Sequence, residues 1–124
     1  MKRLIVLIVL AGLGACASGD KIPEDVIQPE KMKVIVWDLL LAEQRALDDT
    51  TLNKLPVGKE RAKGLTSTST SLFNEVFAIH KTDKNTFYKS YAYYEGHPDK
   101  LKLLMDSVSA YATRKRTDLY KRVE

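Results

Sequence analysis

The residues that could carry out nucleophilic, acid–base or metal chemistry are few in this sequence and far apart. It contains one cysteine, Cys16, and two histidines, His80 and His97. No Ser/His/Asp or Cys/His arrangement is legible, neither histidine has partners at metal-ligand spacing, and no glycine-rich loop suits a phosphate. The carboxylates do not pair at a spacing typical of general acid–base catalysis. The sequence therefore predicts a protein that is not an enzyme and has no metal site, in which His80 is a structural residue near a helix end.

Glu43 is the carboxylate whose position stands out. Helical spacing places it near the middle of a broad apolar face. An unpaired carboxylate is costly to bury, so the side chain needs either hydrogen-bond partners or access to water. One hypothesis is a structural Glu43 satisfied by a tyrosine hydroxyl, a lysine or the N–H groups of a helix end. The other is a carboxylate that belongs to a ligand pocket.

Cys16 follows a segment with the layout of a bacterial secretion signal. Two basic residues precede an unbroken apolar run over 4–10, which is too short to span a bilayer core of about 30 Å. Leu13, Gly14, Ala15 and Cys16 together resemble the lipobox of bacterial lipoproteins. The resemblance implies that the Cys16 thiol receives a diacylglycerol and that residues 1–15 are cleaved off as a signal peptide. An ordinary secretory signal is the alternative.

Lipid attachment would fix the location and the first partner of the protein. Acyl chains contribute about 0.8 kcal/mol per buried methylene, so several chains on Cys16 would hold it to membrane lipid almost permanently. The residue after the cysteine is Ala17 and not the aspartate that retains many lipoproteins at the inner membrane, which favours the outer membrane. Asp20 is the only acidic residue close behind Cys16, so the acidic cluster seen in surface-exported lipoproteins is missing, which favours the periplasmic face. No cofactor is expected, and the lipid would be a covalent modification of Cys16. The net charge of +4 falls by two with the loss of Lys2 and Arg3, which is too little for a nucleic-acid partner.

Hydrophobic periodicity predicts an all-α fold, a small bundle of about four helices behind the signal peptide and a short tether. Residues 16–28 are expected to form the lipid-anchored tether, and residues 29–124 the helical domain with a flexible loop around 48–66. The predicted helices cover residues 29–47, 67–81, 84–95 and from 98 nearly to the end. The hydroxyl-rich run over 66–71 offers candidate N-caps for the second helix or a simple linker.

Two further sets of residues are candidates for a binding surface. Trp37 and Leu41 lie on a second, narrower apolar patch of the first helix. The third predicted helix carries four tyrosines: Tyr88, Tyr91, Tyr93 and Tyr94. Spacing puts Tyr91 and Tyr94 on one face with Phe87, while Tyr93 is expected to point away. Such rings either pack on the core with their hydroxyls in water or form an interface.

A series of residues spread over nearly all of the expected mature chain carries a likeness to a known family. These residues are Cys16, Pro23, Ile27, Met32, the run over 38–43, Val76, Phe77, His80, Phe87, Ser90, Tyr93, Tyr94, Pro98, Leu101 and Val108. With them the chain resembles a family of small Bacteroidota lipoproteins catalogued as a domain of unknown function. Thr82 departs from the pattern, because an apolar residue usually precedes the cap there. The resemblance implies a helical lipoprotein without an assigned activity and transfers no catalytic residue.

Two functions follow from these features. The first is a non-enzymatic adaptor, a helical bundle on a lipid anchor that binds another envelope protein. It rests on the expected anchor, on Trp37 with Leu41, and on the tyrosine-rich helix. The second is a small-ligand carrier or sensor with a groove around Glu43 and the tyrosines.

Overall fold

The computed structural model describes residues 21–123. They form five helices: α1 (Pro29–Leu47), α2 (Thr50–Asn53), α3 (Lys59–Ile79), α4 (Lys84–Glu95) and α5 (Pro98–Lys121). Four of them are long and pack together, and no strand occurs in the described part of the chain, which confirms the predicted all-α bundle. The expected signal peptide, Cys16 and the start of the tether lie outside the described residues. None of the helices that the structure describes is long and apolar enough to cross a membrane.

α1 is the central helix and has the predicted bounds. Pro29 starts it, at a position where a missing N–H costs nothing, and Glu30 favours the positive end of the helix dipole. One face is buried at helical spacing: Met32, Ile35, Val36, Leu39, Ala42 and Ala46. This face contacts both α3 and α5. Burying each large apolar side chain contributes about 1.5–3 kcal/mol, so α1 organises the core.

α3 begins at Lys59, well before the predicted residue 67, so the expected loop over 48–66 is wrong for its last part. The hydroxyl-rich run lies inside the helix. Thr66 donates its hydroxyl to the carbonyl of Ala62 at 3.0 Å, and Thr70 donates to the carbonyl of Thr66 at 2.8 Å. Bonding to a carbonyl one turn earlier satisfies these hydroxyls without ending the helix.

α2 interrupts the rest of the expected loop. The Asp49 side chain caps it by accepting the N–H of Thr51 at 2.8 Å. Leu52 of this short helix packs against Gly64 of α3, where an added Cβ would lie 2.5 Å from Leu52 Cδ2. Gly64 therefore marks a close approach between α2 and α3.

The described part of the segment before α1 is packed against the bundle, so the expectation of a tether is wrong for residues 22–27. Val26 and Ile27 are 5% and 8% exposed, and Ile22 packs against the core. The N–H of Val26 donates to the carbonyl of Pro23 at 3.1 Å and closes a turn. These apolar residues follow neither a helical nor a strand period, so the sequence pattern did not mark them as core.

α4 and α5 start where the sequence predicts. The Asp83 carboxylate caps α4 by accepting the N–H of Thr86 at 2.9 Å, and this hydrogen bond holds the pKa of Asp83 below its usual value. Pro98 opens α5. The buried side chains of α5 are Leu104, Val108 and Ala112. Beyond Ala112, every described residue of the chain is exposed.

Candidate functional site

A surface groove that contains Glu43 runs between α1, α3, α4 and α5, and we call it the Glu43 groove. It consists of two adjoining cavities of about 320 and 360 Å³, which share Glu43, Phe73 and Tyr88. The polar half is otherwise lined by Leu65, Thr66, Ser69, Thr70, Asn74, Phe77 and Lys84. The apolar half is otherwise lined by Val36, Leu39, Leu40, Phe87, Tyr91 and Met105.

Glu43 lies where the two halves meet. Its side chain is half-buried, and within residues 21–123 no hydrogen bond or ion pair holds its carboxylate. No buried side-chain oxygen in this part of the chain lacks a partner, so the carboxylate oxygens are reached by water through the open groove. The hypothesis that a tyrosine, a lysine or helix-end N–H groups satisfy Glu43 inside the fold is therefore not met in this structure.

Phe87 positions the aromatic rings of the apolar half. Its ring stacks on Tyr91, with centroids 6.1 Å apart, and meets the Tyr88 ring edge-on at 5.2 Å. Phe87 is only 5% exposed, whereas Tyr88 and Leu40 at the rim are 47% and 54% exposed. A rigid aromatic base with exposed apolar side chains around it can seat an apolar group of a partner or ligand.

Lys84 gives the polar half its charge. Its Nζ lies 6.0 Å from the centre of the Tyr88 ring, and it forms no ion pair with Glu43. Thr66 and Thr70 use their hydroxyl protons on helix carbonyls, so towards the groove they offer oxygen acceptors. The polarity of the groove thus falls along its length. Lys84 and the hydroxyl oxygens lie in the polar half, the Glu43 carboxylate lies where the halves meet, and aromatic rings form the base of the apolar half.

The structure brings three of the predicted binding residues together. Glu43, Tyr88 and Tyr91 line the apolar half of the groove, although they come from two different helices. Phe73 and Leu40 also line it and were missed as site residues. Leu40 stands three positions before Glu43 on α1, and that spacing was the available signal. Nothing in the sequence pattern places Phe73 of α3 opposite them.

Two of the other predicted residues lie elsewhere on the bundle. Leu41 is 48% exposed and lines a separate cavity between α1 and α3, together with Asp38 and Arg45. Trp37 is half-buried and does not line the Glu43 groove. The groove and the Trp37–Leu41 patch are therefore not one continuous site.

The remaining two tyrosines have structural contacts. Tyr94 has no exposed surface and donates its hydroxyl to the carbonyl of Ile27 at 2.8 Å, which removes it from the predicted binding surface. Tyr93 was expected to point away from the bundle. It is half-buried and packs against the core, and its ring stacks on His97 with centroids 4.1 Å apart.

His80 joins the end of α3 to α1. Its Nε2 lies 2.6 Å from Oδ2 of Asp38, and the exposed fractions of the two side chains are 15% and 35%. This is the contact of a structural histidine, as the sequence predicts. Over residues 21–123 no group of three histidine, cysteine or acidic side chains is placed to hold a metal ion.

Comparison with known protein families gives a match over most of the chain. The family described as "Domain of unknown function (DUF4296)" matches residues 23–118. The match begins in the packed segment before α1 and ends within α5, so it includes the whole Glu43 groove. No curated protein and no solved structure matches the chain.

Proposed function

This chain belongs to the family described as "Domain of unknown function (DUF4296)", and we propose that it is a lipid-anchored, non-enzymatic adaptor of the bacterial cell envelope. In this proposal the Glu43 groove holds a segment of another envelope protein. The family description names no activity, so the support comes from the groove and from the expected lipid anchor.

The anchor is supported by the lipobox-like residues that end at Cys16. We propose a lipoprotein of the kind found in Bacteroidota, held by acylated Cys16 in the outer membrane and facing the periplasm. Labelling of growing cells with a palmitate analogue tests it. The native chain should be labelled and should sediment with outer membranes, while Cys16→Ser should remain unlabelled and soluble. An unlabelled native chain would refute the anchor.

The observation that carries the adaptor proposal is the open groove with exposed apolar side chains at its rim. Leu40 and Tyr88 are each about half exposed and line the same cavity as the half-buried Phe73 and Glu43. Exposed apolar groups beside a rigid aromatic base are typical of surfaces that bind a partner. The groove includes Tyr88 and Tyr91 of the tyrosine-rich helix on which the sequence-based hypothesis relied, but not its other element, the Trp37–Leu41 patch.

Site-specific photocrosslinking in intact cells tests the adaptor. A benzoylphenylalanine at position 40 or 88 should give one discrete protein adduct, because these side chains face the groove. Tyr120 provides the matched control, since it is a tyrosine, 76% exposed, and lies far along α5 from the groove. Adducts of equal yield at all three positions, or no adduct at positions 40 and 88, would contradict the proposal.

The small-ligand carrier is the second candidate, and the size of the groove favours it specifically. Each half has a volume near the lower end of the range of about 300–1,000 Å³ that is usual for ligand pockets. Native mass spectrometry of protein extracted from membranes separates the two candidates. A carrier should show a reproducible additional small-molecule mass, which Leu40→Trp should displace, whereas an adaptor should show only the lipidated chain or a protein complex.

A further inference from the structure

We infer that the occupant of the Glu43 groove presents a basic side chain to Glu43 and apolar side chains to the aromatic base beside it. This inference rests on the proposed function and specifies the chemistry of the partner segment: a lysine or arginine flanked by large apolar residues.

The first step concerns the Glu43 carboxylate. It has no protein partner within the described part of the chain and keeps its contact with water through the open groove. A purely apolar occupant would remove that water and leave a half-buried charge unpaired, which is unfavourable. An acidic occupant would be repelled. A basic group replaces the lost water with a charge-assisted hydrogen bond.

The second step concerns Lys84, which could have neutralised Glu43 from within the groove. Of the residues that line the two cavities, Glu43 and Lys84 are the charged ones, and Lys84 lines only the polar half. It forms no ion pair with Glu43. The carboxylate is thus uncompensated on the side of the apolar half, and Lys84 disfavours a basic group at the other end.

The third step concerns the apolar half. Its lining consists of aliphatic and aromatic side chains apart from Glu43, and its rings are fixed by the contacts of Phe87 with Tyr88 and Tyr91. A rigid apolar surface directly beside a carboxylate complements a cation carried on an apolar body. The two features select one occupant chemistry, with the basic group towards Glu43 and the apolar part on the Phe87 side.

The charge preference can be measured with three eight-carbon probes of the same length: n-octylammonium, 1-octanol and octanoate. The protein is the complete mature chain carrying Cys16→Ser, so that no detergent competes for the groove. Binding is followed by two-dimensional NMR at the backbone amides of α1 and α4. We expect octylammonium to bind about five- to tenfold more tightly than octanol, and octanoate most weakly, with the amine preference shrinking as salt is added.

Two variants of matched size show which charged residue causes the preference for the amine. Glu43→Gln keeps the shape of the side chain and should reduce the amine preference to less than about twofold. Lys84→Gln removes the other charge of the groove and should keep or increase it. Circular dichroism melts confirm that both variants fold. An equal affinity for the three probes, no binding at all, or an amine preference that survives Glu43→Gln would overturn the inference.

Failure of this inference is distinguishable from failure of the adaptor proposal. If the photoadduct at position 40 forms equally well in the native chain and in Glu43→Gln, the adaptor stands and the basic partner segment is wrong. If the probes follow the expected order but no adduct forms in cells, the chemistry of the groove stands and the adaptor is wrong.

Discussion

The hydroxyl of Tyr94 donates a 2.8 Å hydrogen bond to the backbone carbonyl of Ile27, which joins the end of α4 to the segment that precedes α1. The N–H of Ile27 donates in turn to Ser90 Oγ at 2.9 Å. Both backbone groups of one buried residue are therefore satisfied by side chains of a helix that lies more than sixty positions later. These two bonds attach the first packed segment to the bundle.

Tyr94→Phe should lower the free energy of unfolding by about 1–3 kcal/mol. The ring still fills its place, but the buried Ile27 carbonyl loses its donor. Urea denaturation followed by circular dichroism measures the change. Tyr120→Phe is the control, because Tyr120 is 76% exposed and its substitution should have no measurable effect. Equal effects of the two substitutions would show that the hydrogen bond does not stabilise the fold.

The same tyrosine predicts how stability depends on alkaline pH. Burial raises the pKa of Tyr94 from 10.0 to about 12. Between these values the unfolded chain releases the proton that the folded chain keeps, so rising pH favours unfolding. The stability advantage of the native chain over Tyr94→Phe should be constant below pH 10.0 and should shrink from there towards about 12, by at most about 1.4 kcal/mol per pH unit. Lysines titrate in the same range, but they do so in both proteins and their effect cancels in the difference. A difference in unfolding free energy that stays constant across this pH range would therefore contradict the prediction.

Ser90→Ala should also be destabilising, by about 1–3 kcal/mol. Ser90 has no exposed surface, accepts the N–H of Ile27 and donates to the carbonyl of Thr86 at 2.8 Å. Its removal leaves a buried N–H without an acceptor. The combination with Tyr94→Phe should cost less than the two single changes together, since both release the same segment. Ser109→Ala, at an exposed serine of α5, is the control in the same urea series, and full additivity would argue against a shared segment.

The packed segment before α1 shows where sequence patterns stop being informative. α1, α4 and the start of α5 were predictable, since each combines helical apolar spacing with a local signal such as Pro29, Asp83 or Pro98. Val26 and Ile27 are core residues without any period. Their burial depends on Ser90 and Tyr94, and a contact between residues so distant in the chain leaves no local pattern.

In α3 the error is of another kind: residues that usually mark a helix end lie inside the helix. Glycine and hydroxyl residues usually favour helix ends. Here the hydroxyls of Thr66 and Thr70 bond to carbonyls of their own helix, and Gly64 makes room for Leu52. The same early start of α3 explains part of the missed half of the site, because Leu65 and Thr66 of the expected loop line the polar half of the groove.

The contact between His80 and Asp38 should appear as a coupling energy. His80→Gln and Asp38→Asn, made singly and together, form a double-mutant cycle for the 2.6 Å contact between α3 and α1. We expect a coupling of about 1 kcal/mol, because the pair is partly shielded from water. The exposed Lys102–Asp106 pair is the comparison, and its coupling should lie within the error of the measurement. If the coupling energy between His80 and Asp38 were as small as that of the exposed pair, the contact would not stabilise the bundle.

A single substitution in the turn after α3 should stabilise the fold. Lys81 has a φ of 50°, in the left-handed region, because the N–H groups of Lys81 and Thr82 turn back to the carbonyls of Ala78 at 3.1 Å and Phe77 at 3.0 Å. This is the helix ending in which glycine is usual, since a Cβ is strained there. Lys81→Gly should raise the free energy of unfolding by about 0.5–1 kcal/mol, after allowance for the greater freedom of glycine in the unfolded chain.

Lys81→Ala separates the backbone effect of that substitution from the loss of an exposed charge. Alanine removes the charge but keeps the Cβ, so it should give none of the gain seen with glycine. Urea denaturation of the three proteins at two salt concentrations gives the comparison, since a backbone effect is insensitive to salt and a charge effect is screened. An equal gain for alanine and glycine, or a gain that disappears at high salt, would assign the change to the charge of Lys81 and not to its left-handed backbone.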